Sequence, residues 1–538
     1  MKRLHSSRRI WWFLAVIPVV GFLWWPLSND RWTIPVDEDA LARKEAFLAA
    51  PLAPDTLSRP NIVLILADDL GKMDISLYGD IPIKTARIDA LGQEGVRFEE
   101  GYITSPICAP SRAALLTGRY QQRFGFEYQP HDRYPKNRLE YYVYKWFLDT
   151  PEWQVADEDF RYPGKAELHK QGLPPSEITL AELLQKAGYA TGIIGKWHLG
   201  YDPPSLPNLM GFDYHYGFYE AFSLYADPAD PGIVNQRNPD FSDPHIWRKG
   251  RTGACAIRIN DQVVEDTAYL TNRLADEAIG FIEKHKAQPF FLYVPFSAPH
   301  TPFQAERRFY DRFTSIEDPR KRVYFSMIAS LDEAVGRILD KLKAEGLDTN
   351  TLVFFLSDNG GATYTQATTN APLKGGKFTE FEGGVQVPFF FSWPGHTPSG
   401  MAFSQPVSAV DIFATVASAA RVPLPGDRPM DGVDLMPYLQ AEEERPPHPA
   451  IYWRSGFQKA IRKGPWKLLH DELSGNGVLY YMNCDPYETT SLWEQRPEER
   501  DSLMTDMSGW EKELQPPLWP RVMNFRFRDG DRDFFFPL

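Results

Sequence analysis

The sequence predicts an α/β fold: a large, mostly parallel sheet sandwiched by helices, followed by a small antiparallel sheet. Three observations carry this prediction. Short apolar runs rich in β-branched residues recur along the chain. Stretches of helical periodicity separate them, and polar clusters follow directly on several of the runs.

Residues 61–66 form the first run, apolar at every position after Asn61 as in a strand covered on both faces. Residues 190–194, 289–295, 352–356 and 387–391 are similar runs. Helical periodicity over 179–187, 269–285 and 324–345 lies between them, and 411–420 reads as the last helix of this unit. Strands alternating with helices imply parallel pairing in a doubly wound sheet. Residues 421–447, rich in Pro, Gly and acid, read as a connection. Beyond it, the pieces 450–454, 459–462, 466–469 and 478–481 predict the antiparallel sheet, with a helix over 496–514. Residues 29–58 read as a linker with a short helix near 38–50. The expected division is an N-terminal targeting segment (1–28), the linker (29–58), a main domain (59–425) with an insertion at 124–171, and a C-terminal subdomain (426–538).

Composition narrows the function. The chain has 538 residues, 43% of them hydrophobic and 14% aromatic, which excludes a mainly disordered protein. A formal charge of −13 argues against a nucleic-acid binder and requires any anionic substrate to meet a local basic pocket. Three cysteines, Cys108, Cys255 and Cys484, are too few for a disulfide scaffold. Whether Cys255 and Cys484 pair stays open at this level.

Lys2, Arg3, Arg8 and Arg9 precede an uncharged run over 10–27. As a helix its length approaches the ~30 Å of a bilayer core, with Trp11, Trp12, Trp24 and Trp25 at the two interfaces. The positive flank stays cytoplasmic, so the remainder is exported. The run is a retained membrane anchor or a cleaved signal peptide; a buried core helix is the remaining alternative.

In parallel α/β sheets, ligands bind beyond the carboxyl ends of the strands. Four polar clusters fall there: Asp68-Asp69, Lys196-Trp-His198, Ser297-Ala-Pro-His300 and Asp358-Asn359. Adjacent aspartates on a regular strand face opposite sides, so Asp68 and Asp69 share a pocket only if they lie in the turn that Gly71 permits. With Asp358 they bring three carboxylates together. At ~4 Å and a dielectric near 20, each like-charge pair costs about 4 kcal/mol. That repulsion calls for a cation, and oxygen donors imply Ca²⁺ or, less readily, Mg²⁺. Zinc is disfavoured because no close His or thiolate set is visible in the cluster. Lys196 and His198, two residues apart in an extended segment, put a cation and a base on one side.

Cys108-Ala-Pro-Ser111-Arg112-Ala-Ala-Leu-Leu-Thr-Gly118-Arg119 is the most informative stretch. Pro110 suits a first helical turn and Gly118 a C-cap, which sets Cys108 at a helix N-terminus. On chemistry alone that is a low-pKa thiolate or else a buried inert thiol.

The stretch resembles the type I sulfatase signature, and the other clusters accompany it in the expected order. The resemblance covers most of residues 60–420 and implies an alkaline-phosphatase-like fold, a mixed but mostly parallel sheet. It implies that Cys108 is converted to formylglycine by a maturation enzyme. Asp68, Asp69, Asp358 and Asn359 correspond to the calcium ligands, with the modified Cys108 supplying another. Arg112 corresponds to the residue that stabilises the formylglycine hydrate. Lys196, His300 and Lys377 would bind the sulfate, the last two also assisting the leaving oxygen. His198 would hydrogen-bond the hydrate and act as base in the release step. Lys377 lies in Lys374-Gly-Gly-Lys377-Phe-Thr-Glu-Phe-Glu382-Gly-Gly, where Lys374 is a rival by proximity.

The leading reading is an exported, calcium-dependent sulfatase acting on a sulfate monoester of a carbohydrate. It would be membrane-anchored with the catalytic domain outside the cytoplasm, or secreted or periplasmic after signal cleavage. A phosphodiester or phosphonate monoester hydrolase is the second reading, and a membrane-tethered glycan-binding pseudoenzyme the third. A thiol-based hydrolase is possible if Cys108 stays unmodified. The insertion, dense in aromatics, begins just beyond the nucleophile helix and is expected to rim the pocket or to pack on itself.

Overall fold

Ten strands form one twisted sheet, numbered here in chain order: β1 (Asn61–Asp68), β2 (Val96–Phe98), β3 (Ala190–Lys196), β4 (Tyr214–Phe218), β5 (Arg258–Ile259), β6 (Gln262–Val263), β7 (Phe290–Pro299), β8 (Thr351–Ser357), β9 (Phe389–Ser392) and β10 (Met401–Phe403). Their spatial order is β10-β2-β9-β8-β1-β7-β3-β4-β5-β6. The structure is a computed structural model and describes residues 21–28, 32–53, 57–131, 133–156, 160–240 and 242–538. Most of the apolar run read as an anchor or signal, residues 10–20, lies outside the described residues. Among those described, no helix is long and apolar enough to cross a membrane.

The five neighbours β8-β1-β7-β3-β4 are all parallel. Alternation along β1 explains its unbroken apolar run. Ile62, Leu64 and Leu66 enter one core, while Val63, Ile65 and Ala67 enter another on the opposite face. Helices Leu270–His285 and Pro319–Ala344 cover the second face. Helices Cys108–Thr117, Leu180–Lys186 and Asp411–Ala419 cover the first. Thr179 starts its helix with a capping box, its side chain accepting from Glu182 N–H while Glu182 accepts from Thr179 N–H.

The alternation argument fails at one strand. The run at 387–391 becomes β9, which pairs antiparallel with β8. A parallel return needs a long crossover, usually a helix. Between β8 and β9 the chain forms only the one-turn helix Glu382–Val385 and a 3₁₀ turn, and spends the rest of its length building the site. The result is a mixed sheet with a parallel centre.

The C-terminal part carries a four-stranded antiparallel meander, Ile451–Ser455, Gln458–Lys463, Trp466–Asp471 and Gly477–Tyr481. Helix Pro497–Glu511 closes it, with Leu503 and Met507 packed on Ile461, Leu468 and Leu479. The periodicity argument did not anticipate the last sheet. Strands Met523–Asp529 and Arg532–Pro537 pair with each other, and Trp153–Val155 from the insertion adds to them. The insertion is therefore stitched to the C-terminus. Trp519 donates to Gln129 O at 3.0 Å and Tyr134 to Pro520 O at 3.0 Å. Residues read as a linker contribute helix Glu38–Ala49, where Lys44 meets Glu182 at 2.6 Å and donates to Glu177 O.

Glu380 is fully buried in the turn between Lys377 and Glu382. Burial lifts its carboxyl from 4.5 to about 8, with Ser455 and Lys467 only partly opposing. The folded state therefore keeps a proton that the unfolded chain loses above pH 4.5. Its contribution to stability is fully present below pH 4.5 and is lost as pH rises to about 8. Glu380→Gln is expected to remove a slope of up to about 1.4 kcal/mol per pH unit across that window. Denaturant titrations at pH 5 and 7.5 read it directly, and an unchanged slope would refute the assignment.

Candidate active site

Four neighbouring parallel strands end at one place. Asp68 is the last residue of β1 and Lys196 the last of β3. His300 follows Pro299 at the end of β7, and Asp358 follows Ser357 at the end of β8. Register aligns them, with Ala67 opposite Ser357 and Asp68 opposite Pro299. Asp69 has φ 62°, a left-handed conformation that breaks strand alternation and turns the second carboxylate into the same pocket as the first. His198 also has φ 59°, so Lys196 and His198 converge through a turn and not through an extended segment.

Helix Cys108–Thr117 points its first residue at these carboxylates. Cys108 Sγ lies 3.5 Å from Asp68 Oδ1 and 3.8 Å from Asp69 Oδ1. The helix ends as its sequence demands: Gly118 has φ 67° and its N–H closes on Ala114 O. Arg112, fully buried, donates from Nε to Asp358 Oδ2 at 2.9 Å and from Nη1 to Lys196 O at 3.1 Å. Its Nη2 sits 3.6 Å from Asp68 Oδ1. Lys196 Nζ is 2.7 Å from Asp68 Oδ2. Lys377 Nζ is 2.9 Å from Asp69 Oδ1. His300 Nε2 is 3.6 Å from Asp69 Oδ2, and its Nδ1 contacts Thr301 O at 2.6 Å. Asn359 donates to Asp69 Oδ1 at 2.7 Å, which leaves its buried Oδ1 without a partner among the described residues. Lys374 points elsewhere, to Asp529 Oδ1 at 2.9 Å in the C-terminal hairpin, and takes no part in the cluster.

The carboxylate repulsion that seemed to demand a cation is already met by protein: Arg112, Lys196 and Lys377 balance Asp68, Asp69 and Asp358 charge for charge. Against the cost of burial, Lys196 holds Asp68 below the usual carboxylate range and Lys377 does the same for Asp69. The carboxylates also do have a His and a thiol nearby. Ligand atoms of Asp68, Asp69, Cys108 and His300 lie within 4.8 Å of one another. The loop that carries His300 folds back over the strand ends, which no spacing in the sequence announces.

Of the two readings of Cys108, the structure contradicts the low-pKa thiolate and agrees with the buried, inert thiol. Burial first, then Asp358 and Asp68, push the Cys108 thiol well above its ordinary value, against Lys196 and Lys377. With burial and these carboxylates favouring the protonated form, unmodified Cys108 is a neutral thiol and a poor nucleophile. Burial, then the charges of Lys196, Arg112 and Lys377, hold His198 well below the usual imidazole range. Neither of its ring nitrogens has a partner among the described residues. It is a neutral imidazole with an acceptor to offer. His300 is lowered by burial and Lys377, with Asp68 and Asp69 opposing.

A cavity of about 290 Å³ adjoins the cluster. His198, His300, Lys377 and Tyr364 line it. The insertion supplies Gln129, His131, Leu148 and Trp153; the segment before helix Asp243–Lys249 supplies Glu220, Asp240 and Ser242; Met523 and Leu538 come from the C-terminal hairpin. The polar wall residues Glu220 and Asp240 were not singled out from the sequence. They sit in loops with no motif, and only the path of the chain brings them to the cavity.

With this geometry in view, the chain can be set beside known proteins. The sulfatase family profile matches residues 60–422. N-acetylgalactosamine-6-sulfatase of Mus musculus is 36% identical over 422 residues, which cover 77% of this chain and 73% of that protein. The Homo sapiens protein of the same name is 35% identical over 413 residues, covering 76% and 71%. Among solved structures, Ps i-CgsB superposes with a TM-score of 0.71 at 32% identity, covering 86% of this chain and 95% of that one. A second crystal structure of it holds k-i-k-neocarrahexaose. The phosphonate monoester hydrolase of Agrobacterium radiobacter shares the fold, with a TM-score of 0.55 at 20% identity, covering 85% and 96%.

Proposed function

The chain belongs to the sulfatase family and is a sulfuric ester hydrolase, and we propose that it removes sulfate from a sulfated carbohydrate, using formylglycine derived from Cys108 and a bound calcium ion. One observation supports the reading: Lys196, His198, His300 and Lys377 converge around Cys108, and His198, His300 and Lys377 also line a single cavity. Carbohydrate as the leaving group rests on the relatives, which are named for N-acetylgalactosamine 6-sulfate or hold a carrageenan oligosaccharide.

The residues fit a hard divalent cation. Asp68, Asp69 and Asp358 offer carboxylate oxygens, and the unpartnered Asn359 Oδ1 is a further buried oxygen donor. Because protein cations already balance these carboxylates, an added Ca²⁺ gives the cluster a net charge near +2, suited to a sulfate ester. When Cys108 is converted, its hydrated aldehyde supplies the hydroxyl nucleophile. The chain's own groups do the remainder. Lys196, Lys377 and His300 hold the sulfate oxygens and stabilise charge as it develops. Arg112, locked on Asp358, orients the start of the Cys108 helix. Neutral His198 accepts the proton lost in the release step. The uncharged N-terminal run supports an exported enzyme with its active site outside the cytoplasm.

The test is sulfate release by protein made with its maturation system. Substrates are 6-sulfated N-acetylgalactosamine, carrageenan oligosaccharides and an aryl sulfate, beside matched phosphonate esters. Faster turnover of the phosphonates would defeat the reading. Chelation with EGTA is expected to lower turnover on the order of 100-fold, restored by Ca²⁺ and not by Zn²⁺. The chelated protein should stay folded by circular dichroism, since Lys196, Lys377 and Arg112 still compensate the carboxylates.

Asp240 bears on substrate recognition. Its Oδ1 is buried at the cavity wall with no partner among the described residues, while Oδ2 accepts from Ser242. A sugar hydroxyl near the sulfate would satisfy it. Asp240→Asn is expected to lower kcat/KM on a sulfated sugar by about 10–100-fold, the cost of a charge-assisted hydrogen bond, and leave aryl sulfate turnover within about twofold. Equal losses on both substrates would show that Asp240 serves only the fold.

A further inference from the structure

The insertion turns an apolar helix face to solvent. Helix Arg138–Leu148 exposes Leu139, Tyr142, Val143, Trp146 and Phe147, while Tyr141 is buried against the body. The exposed positions fall at i, i+3, i+4, i+7 and i+8, one continuous stripe of the kind that usually packs on a core. Trp146 is 84% and Phe147 77% exposed, their rings stacked at 6.3 Å. Phe22, Trp24 and Trp25 are exposed beside it, Trp25 to 67%. The two groups are in contact: the Arg138 guanidinium lies over the Phe22 ring at 4.3 Å, and Leu27 N–H donates to Lys136 O at 3.0 Å. Leu27 itself is buried in the main core.

We propose that this face, together with residues 22–25, docks in the interfacial layer of a lipid bilayer. Three features select a bilayer over a second protein surface. The uncharged run over 10–27 is long enough to enter a membrane and meets the body of the protein at this helix. The patch is built of Trp, Tyr and Phe, the side chains of membrane interfaces. Lys136 and Arg138 flank it, with Arg133 and Lys145 beside them in surface pairs with Glu140 and Asp149 that leave them at headgroup level. Docking has a consequence for the enzyme, because Leu148 at the end of the same helix lines the reaction cavity. The cavity mouth is thereby held close to the bilayer surface.

The test uses the full chain carrying Cys484→Ser, which removes the exposed thiol, while Cys108 and Cys255 are buried. A single environment-sensitive fluorophore is placed at Phe147→Cys, and in a control at Leu473→Cys in the turn between strands Trp466–Asp471 and Gly477–Tyr481, also exposed. Trp146→Cys is the second variant should Phe147→Cys not fold. Both proteins are mixed with phosphatidylcholine–phosphatidylglycerol vesicles, with and without lipid spin-labelled near the headgroup. Docking predicts quenching of more than about twofold at position 147 and none at 473. Equal quenching at the two positions, or no association with the vesicles, overturns the proposal. A blue-shifted but unquenched label at 147 also overturns it, since protein and not lipid would then cover the face.

Discussion

Cys108→Ala is expected to reduce sulfate release on the order of 10⁴-fold or more, leaving the fold intact. The side chain is small, sits at the first residue of a fully buried helix and packs on Asp68 and Asp69, so its loss opens little space. Cys108→Ser is the sharper variant, because it keeps a hydroxyl in place of the thiol. If an unmodified side chain sufficed as nucleophile, the serine variant would retain substantial activity. Burial and the neighbouring carboxylates that keep the thiol protonated argue that it will not. The companion measurement is the mass of tryptic peptide 98–112 from active protein. An aldehyde in place of the thiol is expected. A fully active preparation with an intact thiol would remove the proposed chemistry and leave the thiol hydrolase, and with it iodoacetamide inhibition, to be explained.

Lys467→Met should destabilise the protein by about 3–5 kcal/mol, the cost of breaking a buried ion network by removing one partner. Lys467 is fully buried in the C-terminal meander. Its Nζ is 2.7 Å from Glu382 Oε1 and 2.9 Å from Glu488 Oε1. Burial lifts Glu488 to about 7 with Lys467 opposing, and Glu488 Oε2 accepts from Glu382 N–H at 2.8 Å. Glu382 Oε2 in turn accepts from Tyr102 and Gln386. Without the lysine, two carboxylates face each other in the interior. Glu382 opens the Glu-Gly-Gly turn, and Gly383 N–H closes on Lys374 O at 2.7 Å, so the network also steadies the loop that carries Lys377. The folded fraction of the variant should therefore lose turnover too. Adding Glu488→Gln should restore part of the stability by removing one stranded charge. Equilibrium denaturation reads both effects, and a loss under about 1 kcal/mol for Lys467→Met would refute the role.

Much of the central fold is legible in the chain because it is local. Residues 62–66 and 352–356 are apolar at every position and 190–194 at all but Thr191, as suits strands covered on both faces, and they are the middle of the sheet. Short strands near the two ends of the sheet, such as Val96–Phe98 and Arg258–Ile259, carry no such pattern and were not anticipated. The site residues proposed from motifs lie together because a parallel sheet delivers its strand ends to one edge. Lys374 and Lys377 show the limit of that reasoning. Both fit the motif by spacing, and only packing turns one toward Asp69 and the other toward Asp529.

What the amino-acid order decided is everything carried by neighbours along the chain: the buried strands, the helix that begins at Cys108 and ends at Gly118, and the aspartate pair at the end of the first strand. What needed the tertiary structure is everything that depends on partners hundreds of positions apart. The antiparallel return of Phe389–Ser392, the Trp153–Val155 strand joined to the C-terminal hairpin, the charge balance around Asp68 and Asp69, and the cavity wall at Asp240 all belong there. The physical reason is that propensity and spacing act over a few residues. The direction of a side chain and the dielectric and charges around it are set by whatever the folded chain brings beside it.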